Sequence, residues 1–150
     1  MNALVSLGNS LLDVSRRFRW LPPLLARITV GWVFLQAGFG KIGNLGNVTG
    51  FFASLGIPAP AFNAALVAWV ECLGGLLLIL GLGTRLVSIP LSIIMIVALC
   101  TAQAENITGL GALFGISDYL YLLLLVWLLI AGPGRVALDT LVARRFRNPS

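Results

Sequence analysis

Long apolar runs, separated by charged or helix-breaking residues, set the pattern of this chain. The clearest is Ala64–Arg85, AALVAWVECLGGLLLILGLGTR, in which Glu71 is the single acid. About 20 apolar residues at ~1.5 Å each cover a hydrocarbon core of about 30 Å, so this run predicts a membrane-spanning helix over 64–82. Further spans are expected at 24–40, 86–104 and 116–132, the last with Asp118 near its start. The expected fold class is an all-α membrane protein. It is a four-transmembrane-helix bundle in one domain, with amphipathic interfacial segments at 1–20 and 136–147. In the first of these, Leu4, Leu7, Leu11, Val14 and Phe18 recur at helical spacing, anchored by Arg16, Arg17, Arg19 and Trp20. Its arginines follow the apolar positions instead of preceding them, which does not read as a signal peptide.

Two helix faces are made of glycine. Glu71, Gly74, Gly75, Leu78 and Gly81 share one face of the second span. Arg27, Gly31, Phe34, Gly38 and Lys41 form a single stripe on the first. Faces so bare of side chains let helix backbones approach each other. A carboxylate in hydrocarbon costs roughly 2.5–3.5 kcal/mol, so Glu71 must face protein or water and needs a partner. Arg27 has two readings. It snorkels to the interface, or it forms an ion pair with Glu71. In an antiparallel hairpin Arg27 lies ~7 Å and Glu71 ~16 Å from the cytoplasmic edge, a gap that a guanidinium side chain closes in large part. If Arg27 snorkels, Glu71 is left to Lys41 or to bound solvent.

The loop over 42–63 is too apolar for a linker. Asn47 is placed to cap a short helix through Ser54 that presents Phe51, Phe52 and Leu55, with Gly56 ending it and Pro58 and Pro60 blocking continuation. The expectation is a lid folded back on the bundle. The third span carries no charge; Ser88, Ser92, Cys100 and Gln103 are its polar content, and Pro90 falls in its first turns. A Gly-rich loop follows over 105–117.

Composition excludes an ordinary soluble protein, since only 10% of the 150 residues are charged and 59% are hydrophobic. The net charge of +5 does not point to nucleic acid, because of where it lies. Four spans put Arg16, Arg17, Arg19, Arg85, Arg135, Arg144, Arg145 and Arg147 on one side, against Lys41, Glu105 and Asp118 on the other. The excess of cations on cytoplasmic loops then places both termini and the Arg85 turn inside. The expected location is the bacterial inner (plasma) membrane, multi-pass, with the lipid bilayer as partner. With no His in the chain, neither a His-ligated haem nor an imidazole metal site is expected. Cys72 and Cys100 form no CxxC pair and read as small packing residues.

Four blocks carry a resemblance. They are the stripe from Arg27 to Lys41; Leu55-Gly56-Ile57-Pro58; Glu71-xx-Gly74-Gly75-xxxxx-Gly81-Leu82-x-Thr84-Arg85; and Gly132-Pro133-Gly134-Arg135-xx-Leu138-Asp139. In this order they resemble the DoxX family, over about Leu24–Asp139. The resemblance implies a four-helix inner-membrane protein of the DoxX/DoxD group. Related chains are associated with thiosulfate:quinone oxidoreductase, where a DoxD-type subunit works with a separate DoxA subunit, and others with membrane thiol-redox complexes. No DoxA-like extension is seen here, so the complete reaction is not carried over. What the resemblance implies is a redox-associated subunit of a quinone or thiol/sulfur oxidoreductase system, with quinone docking between the glycine-faced helices. The candidate polar residues are the Arg27/Glu71 pair with Gln36, Lys41, Arg85, Gln103 and Asp118, beside the aromatic Trp32, Phe34 and Trp69. The alternative is a non-catalytic assembly, binding or small-solute transport protein, whose buried pair fixes the bundle. A protein partner or a homo-oligomer is expected, and the residues leave open whether the chain is an enzyme.

Overall fold

In a computed structural model of the chain, residues 16–140 are described. They form α1 (Leu21–Ile42), α2 (Leu45–Ser54), α3 (Pro60–Leu80), α4 (Thr84–Cys100), a 3₁₀ turn (Ala104–Asn106), α5 (Leu110–Gly115) and α6 (Ser117–Ala131), and no strand among the described residues. The four longer helices make an antiparallel bundle. α1 lies along α3 and α4 along α6, while contacts between α3 and α4 and between α1 and α6 close the ring. Pro22 and Pro23 sit in the opening turn of α1 and Pro60 opens α3, positions whose backbone donors have no intrahelical partner anyway. The sharp turn from α3 to α4 runs through Gly81 and Gly83, at φ 71° and 57°.

The described helix that is long and apolar enough to cross a membrane is α3, with 21 residues. α4 and α6 are apolar but shorter, at 17 and 15 residues. The span expected over 86–104 therefore stops early, at Cys100. Beyond it the Gln103 amide bonds back to the Ala98 carbonyl and its side chain turns to Asp118, which pulls the chain out of the helical path. The span expected over 116–132 begins at Ser117, because Ile116 is extended and separates α6 from α5. The expected segment 1–20 falls mainly outside the described residues. Of 136–147 only 136–140 are described, with 138–140 helical.

Burial is distributed inside out. Arg27, Glu71, Thr84, Ser88 and Ser92 are buried, whereas Leu86 and Ile130 are 74% and 73% exposed. Water would reject such a surface and lipid accepts it. Between the helices lies a core of Val30, Phe34, Leu78, Leu91, Met95, Leu125 and Leu128. Within this region the Phe34 ring meets Tyr121 edge-on, with centroids 6.4 Å apart.

Glycine sets the α1–α3 approach. A Cβ at Gly31 would stand 2.7 Å from the Gly75 carbonyl oxygen, and one at Gly38 would collide with the Cys72 backbone. Gly74 looks the other way, toward the Leu91 side chain of α4. Gly81 needs its positive φ for the turn, and the space a side chain would take is filled by the Arg27 guanidinium.

Candidate functional site

Polar side chains gather at both ends of the bundle, and the two assemblies differ in kind. At the end where α1 begins, Arg27 donates from Nη1 to the Pro133 carbonyl and from Nη2 to the Val136 carbonyl, both at 2.7 Å. The Asp139 carboxylate accepts from the backbone amides of Gly83 (2.8 Å) and Thr84 (3.3 Å), and so caps α4 from a distant part of the chain. Arg85 donates to the Ile130 carbonyl at 3.2 Å. Every bond here ties the Gly132–Asp139 segment, or the end of α6, to the α3–α4 turn and α1. This end is a clasp.

At the other end the polar groups face space. Glu71 is buried midway along α3, and Lys41, in the last turn of α1, donates to its Oε2 at 2.5 Å. Asp118, in the first turn of α6, accepts from Gln103 Nε2 at 3.0 Å. Lys41, Glu71 and Asp118 all line one cavity of about 640 Å³. Its walls are apolar, with Leu66 and Val67 from α3 and Ile94, Val97 and Ala98 from α4. Its cover is the segment that follows α1, through Phe51, Phe52, Leu55, Ile57 and Pro58. Gly56, at φ 71°, reverses the chain after α2, and Asn63 donates to the Pro58 carbonyl to fix the return into α3.

The expected Arg27–Glu71 pair does not form. Gly38 seats against Cys72 and Gly31 against Gly75, and this register sets Arg27 level with Gly81. Glu71 is ten residues before Gly81, ~15 Å by helical rise, beyond the reach of the guanidinium. Arg27 also does not snorkel into water, because it is buried and bonded to carbonyls. Glu71 takes Lys41, one of the two partners, with bound solvent, expected for it if Arg27 snorkelled. Of the other candidate residues, Gln103 reaches the cavity through Asp118, Arg85 belongs to the clasp, and Gln36 is exposed on the outside of α1. Phe34 is in the core, while Trp32 and Trp69 are exposed on the outer surface. Cys72 and Cys100 are free thiols, one buried in the α1–α3 seam and one exposed at the end of α4. Asp139 had a signal in the sequence, being the acid that closes the Gly-Pro-Gly-Arg block among basic residues, but its target was not readable there.

One cation and two carboxyls around an apolar space can orient a ligand oxygen, hold a proton and exchange it. The pairing itself is testable by unfolding in detergent. Lys41→Met, Glu71→Gln and the double variant should show a coupling of about 0.5–3 kcal/mol, while Arg27→Gln and Glu71→Gln should add to within about 0.5 kcal/mol. Strong coupling of Arg27 to Glu71, with none to Lys41, would contradict the observed register.

An apolar exterior, buried charge and a partly covered cavity between the helices define a helical membrane protein. The DoxX family model matches residues 23–104, and the chain belongs to that family. It is 33% identical over 125 residues to the Bacillus subtilis protein named "Putative oxidoreductase CatD", covering 83% of this chain and 90% of that one. It is 37% identical over 139 residues to a membrane protein of Mycobacterium tuberculosis, covering 83% and 84%. A shorter likeness, 34% over 73 residues and 49% of each chain, is to the inner membrane protein YphA of Escherichia coli. No solved structure matches.

Proposed function

We propose that this chain is a redox-associated membrane subunit whose covered cavity receives the ring of a quinone. The carrying observation is a cavity of about 640 Å³ with apolar walls and the Lys41–Glu71 pair set into them. That volume lies within the ~300–1,000 Å³ range of small-molecule sites. A quinone ring is flat and apolar with oxygen acceptors at opposite ends, and this cavity offers a matching donor. Lys41 keeps two of its three N–H donors beyond the bond to Glu71. When bound, such a ring supplies an acceptor for two electrons and two protons. Lys41 orients one ring oxygen, Glu71 holds Lys41 in place, and Asp118 stands at the wall, positioned by Gln103. The cover over Phe51–Pro58 excludes water. Electrons come from a partner protein that oxidises a thiol or a reduced sulfur compound, the donor class the family resemblance implies; the name of the Bacillus relative supports an oxidoreductase role and no particular donor.

The test is the quinone content of purified protein, extracted and measured by mass spectrometry. Wild type is expected to retain quinone, and both Lys41→Met and Ala98→Phe, the second filling the cavity without changing charge, are expected to lose most of it. A wild-type protein that holds no quinone even after quinone is added would sink this reading.

The same reading places four helices across the bacterial inner membrane with both termini and the Arg85 turn in the cytoplasm, so the cavity opens toward the outer side. At ~1.5 Å per residue α4 and α6 cover about 26 and 23 Å, short spans completed by the flanking 3₁₀ turn and α5. In a chain with Cys72→Ala and Cys100→Ser, an Asn47→Cys thiol should react with an impermeant maleimide from outside, and an Arg135→Cys thiol only once the membrane is opened. The reverse pattern would invert the orientation.

A further inference from the structure

The cavity does not end at its charged residues. A second, smaller cavity of about 150 Å³ lies on the α3–α4 seam, lined by Leu66, Val67, Val70, Pro90, Ile93 and Ile94. Four of these, Leu66, Val67, Ile93 and Ile94, also line the larger cavity, so the two spaces adjoin along the seam. The smaller one exposes no polar surface at all. From Thr101, at the large cavity, to Pro90 the path measures about 16 Å along α4 by helical rise. Leu66 and Ile93 are also 47% and 55% exposed, so this seam opens sideways onto the lipid-facing surface. The result is a charged chamber with an apolar groove beside it that faces the bilayer.

We infer that the adjoining cavities bind a polyprenyl quinone whole, with its ring beside Lys41, Glu71 and Asp118 and the first part of its tail along Val70, Pro90 and Ile93. This rests on the reading of the chamber as a quinone-ring site and adds the tail, the seam and entry from the lipid. A free, water-soluble ring would need no apolar exit. A phospholipid would need its charged head group placed among two carboxyls. A ligand with an uncharged polar head and one hydrocarbon tail matches both spaces. Burying the tail gains no hydrophobic free energy, since lipid is equally apolar; the seam acts through packing and by presenting the ring to Lys41 in one orientation.

The experiment uses purified protein in vesicles of phosphatidylethanolamine and phosphatidylglycerol, with a quinone carrying a diazirine on the proximal part of a polyprenyl tail. Photolysis should label the peptides that contain Val70 and Pro90–Ile93, and excess untagged tailed quinone should suppress the label. Pro90→Trp, at an exposed position that lines only the smaller space, should fill the seam and lower that labelling about tenfold. Tail-less quinone binding to the chamber should be the same in both proteins. Label scattered over the outer faces of α1 and α6, or seam labelling unchanged by Pro90→Trp, would overturn the tail seat. So would a phospholipid occupying the seam that quinone does not displace. Failure of tail-less quinone to bind even the wild type would instead defeat the reading of the chamber.

Discussion

Gly38→Leu and Gly75→Leu are expected to leave almost no folded protein, while Gly40→Leu, two residues from Gly38 on the same helix, accumulates like the wild type. A Cβ at Gly75 would stand 2.5 Å from the Gly31 carbonyl oxygen and nearer still to the Leu35 amide nitrogen, and one at Gly38 would meet the backbone of Cys72. Backbone, unlike the end of a side chain, cannot rotate away, so α1 and α3 would have to separate along their length. Such overpacking falls at or beyond the upper end of the about 1–3 kcal/mol usual for inserted bulk. Separation would also break the register that sets Lys41 on Glu71. At Gly40 nothing lies within 4 Å of an added Cβ, and that position is exposed. Yield of monodisperse protein in detergent is the readout. Equal yields of the Gly38 and Gly40 variants would mean that the seam is not held by close backbone approach.

The second large effect is expected at Arg27. Arg27→Gln removes the charge-assisted bonds to the Pro133 and Val136 carbonyls. At about 1.5–3 kcal/mol for each bond to a charged group, the loss is about 3–5 kcal/mol once the glutamine recovers a little. The damage should be local first, because these bonds hold the segment after α6 against the α3–α4 turn. Trypsin cleavage after Arg135 is therefore expected to accelerate well before the helices unfold. Arg27→Lys should recover part of the protection, since one ammonium cannot reproduce a fork that reaches two carbonyls. Unchanged cleavage in Arg27→Gln would show that the clasp does not depend on this side chain.

The sequence makes the helices and their glycine faces legible because both are periodic. Positions such as Gly31 and Gly38 fall on one stripe whatever the partner helix does. The apolar cover was legible too, since Phe51, Phe52 and Leu55 precede a glycine and two prolines in a segment too apolar to be a linker. What pairs with Glu71 was not legible, because that depends on axial register between two helices. Register is decided here by where Gly38 seats on Cys72, a fact about tertiary contact that spacing within one helix does not contain. A slip of about ten residues, ~15 Å by helical rise, would set Arg27 instead of Lys41 beside Glu71. The early end of α4 was hidden for a related reason: Thr101, Ala102 and Ala104 continue the small pattern, and the one polar residue among them, Gln103, meets Asp118 of α6 only in the fold. The cavity is a gap between elements, and no single stretch encodes it. Asp118 could be singled out from its place at the head of the last apolar run, but its meeting with Lys41 and Glu71 around one space is a property of the fold.

The central claim is that the chamber lined by Lys41, Glu71 and Asp118 is a quinone-ring site, and calorimetric titration of purified protein with a tail-less quinone tests it most directly. The expected result is saturable binding to the wild type at one site per chain, weakened at least about tenfold by Ala98→Phe, which fills the chamber and leaves all three charged residues in place. Equal affinity in the two proteins, or no saturable binding to the wild type, would contradict it.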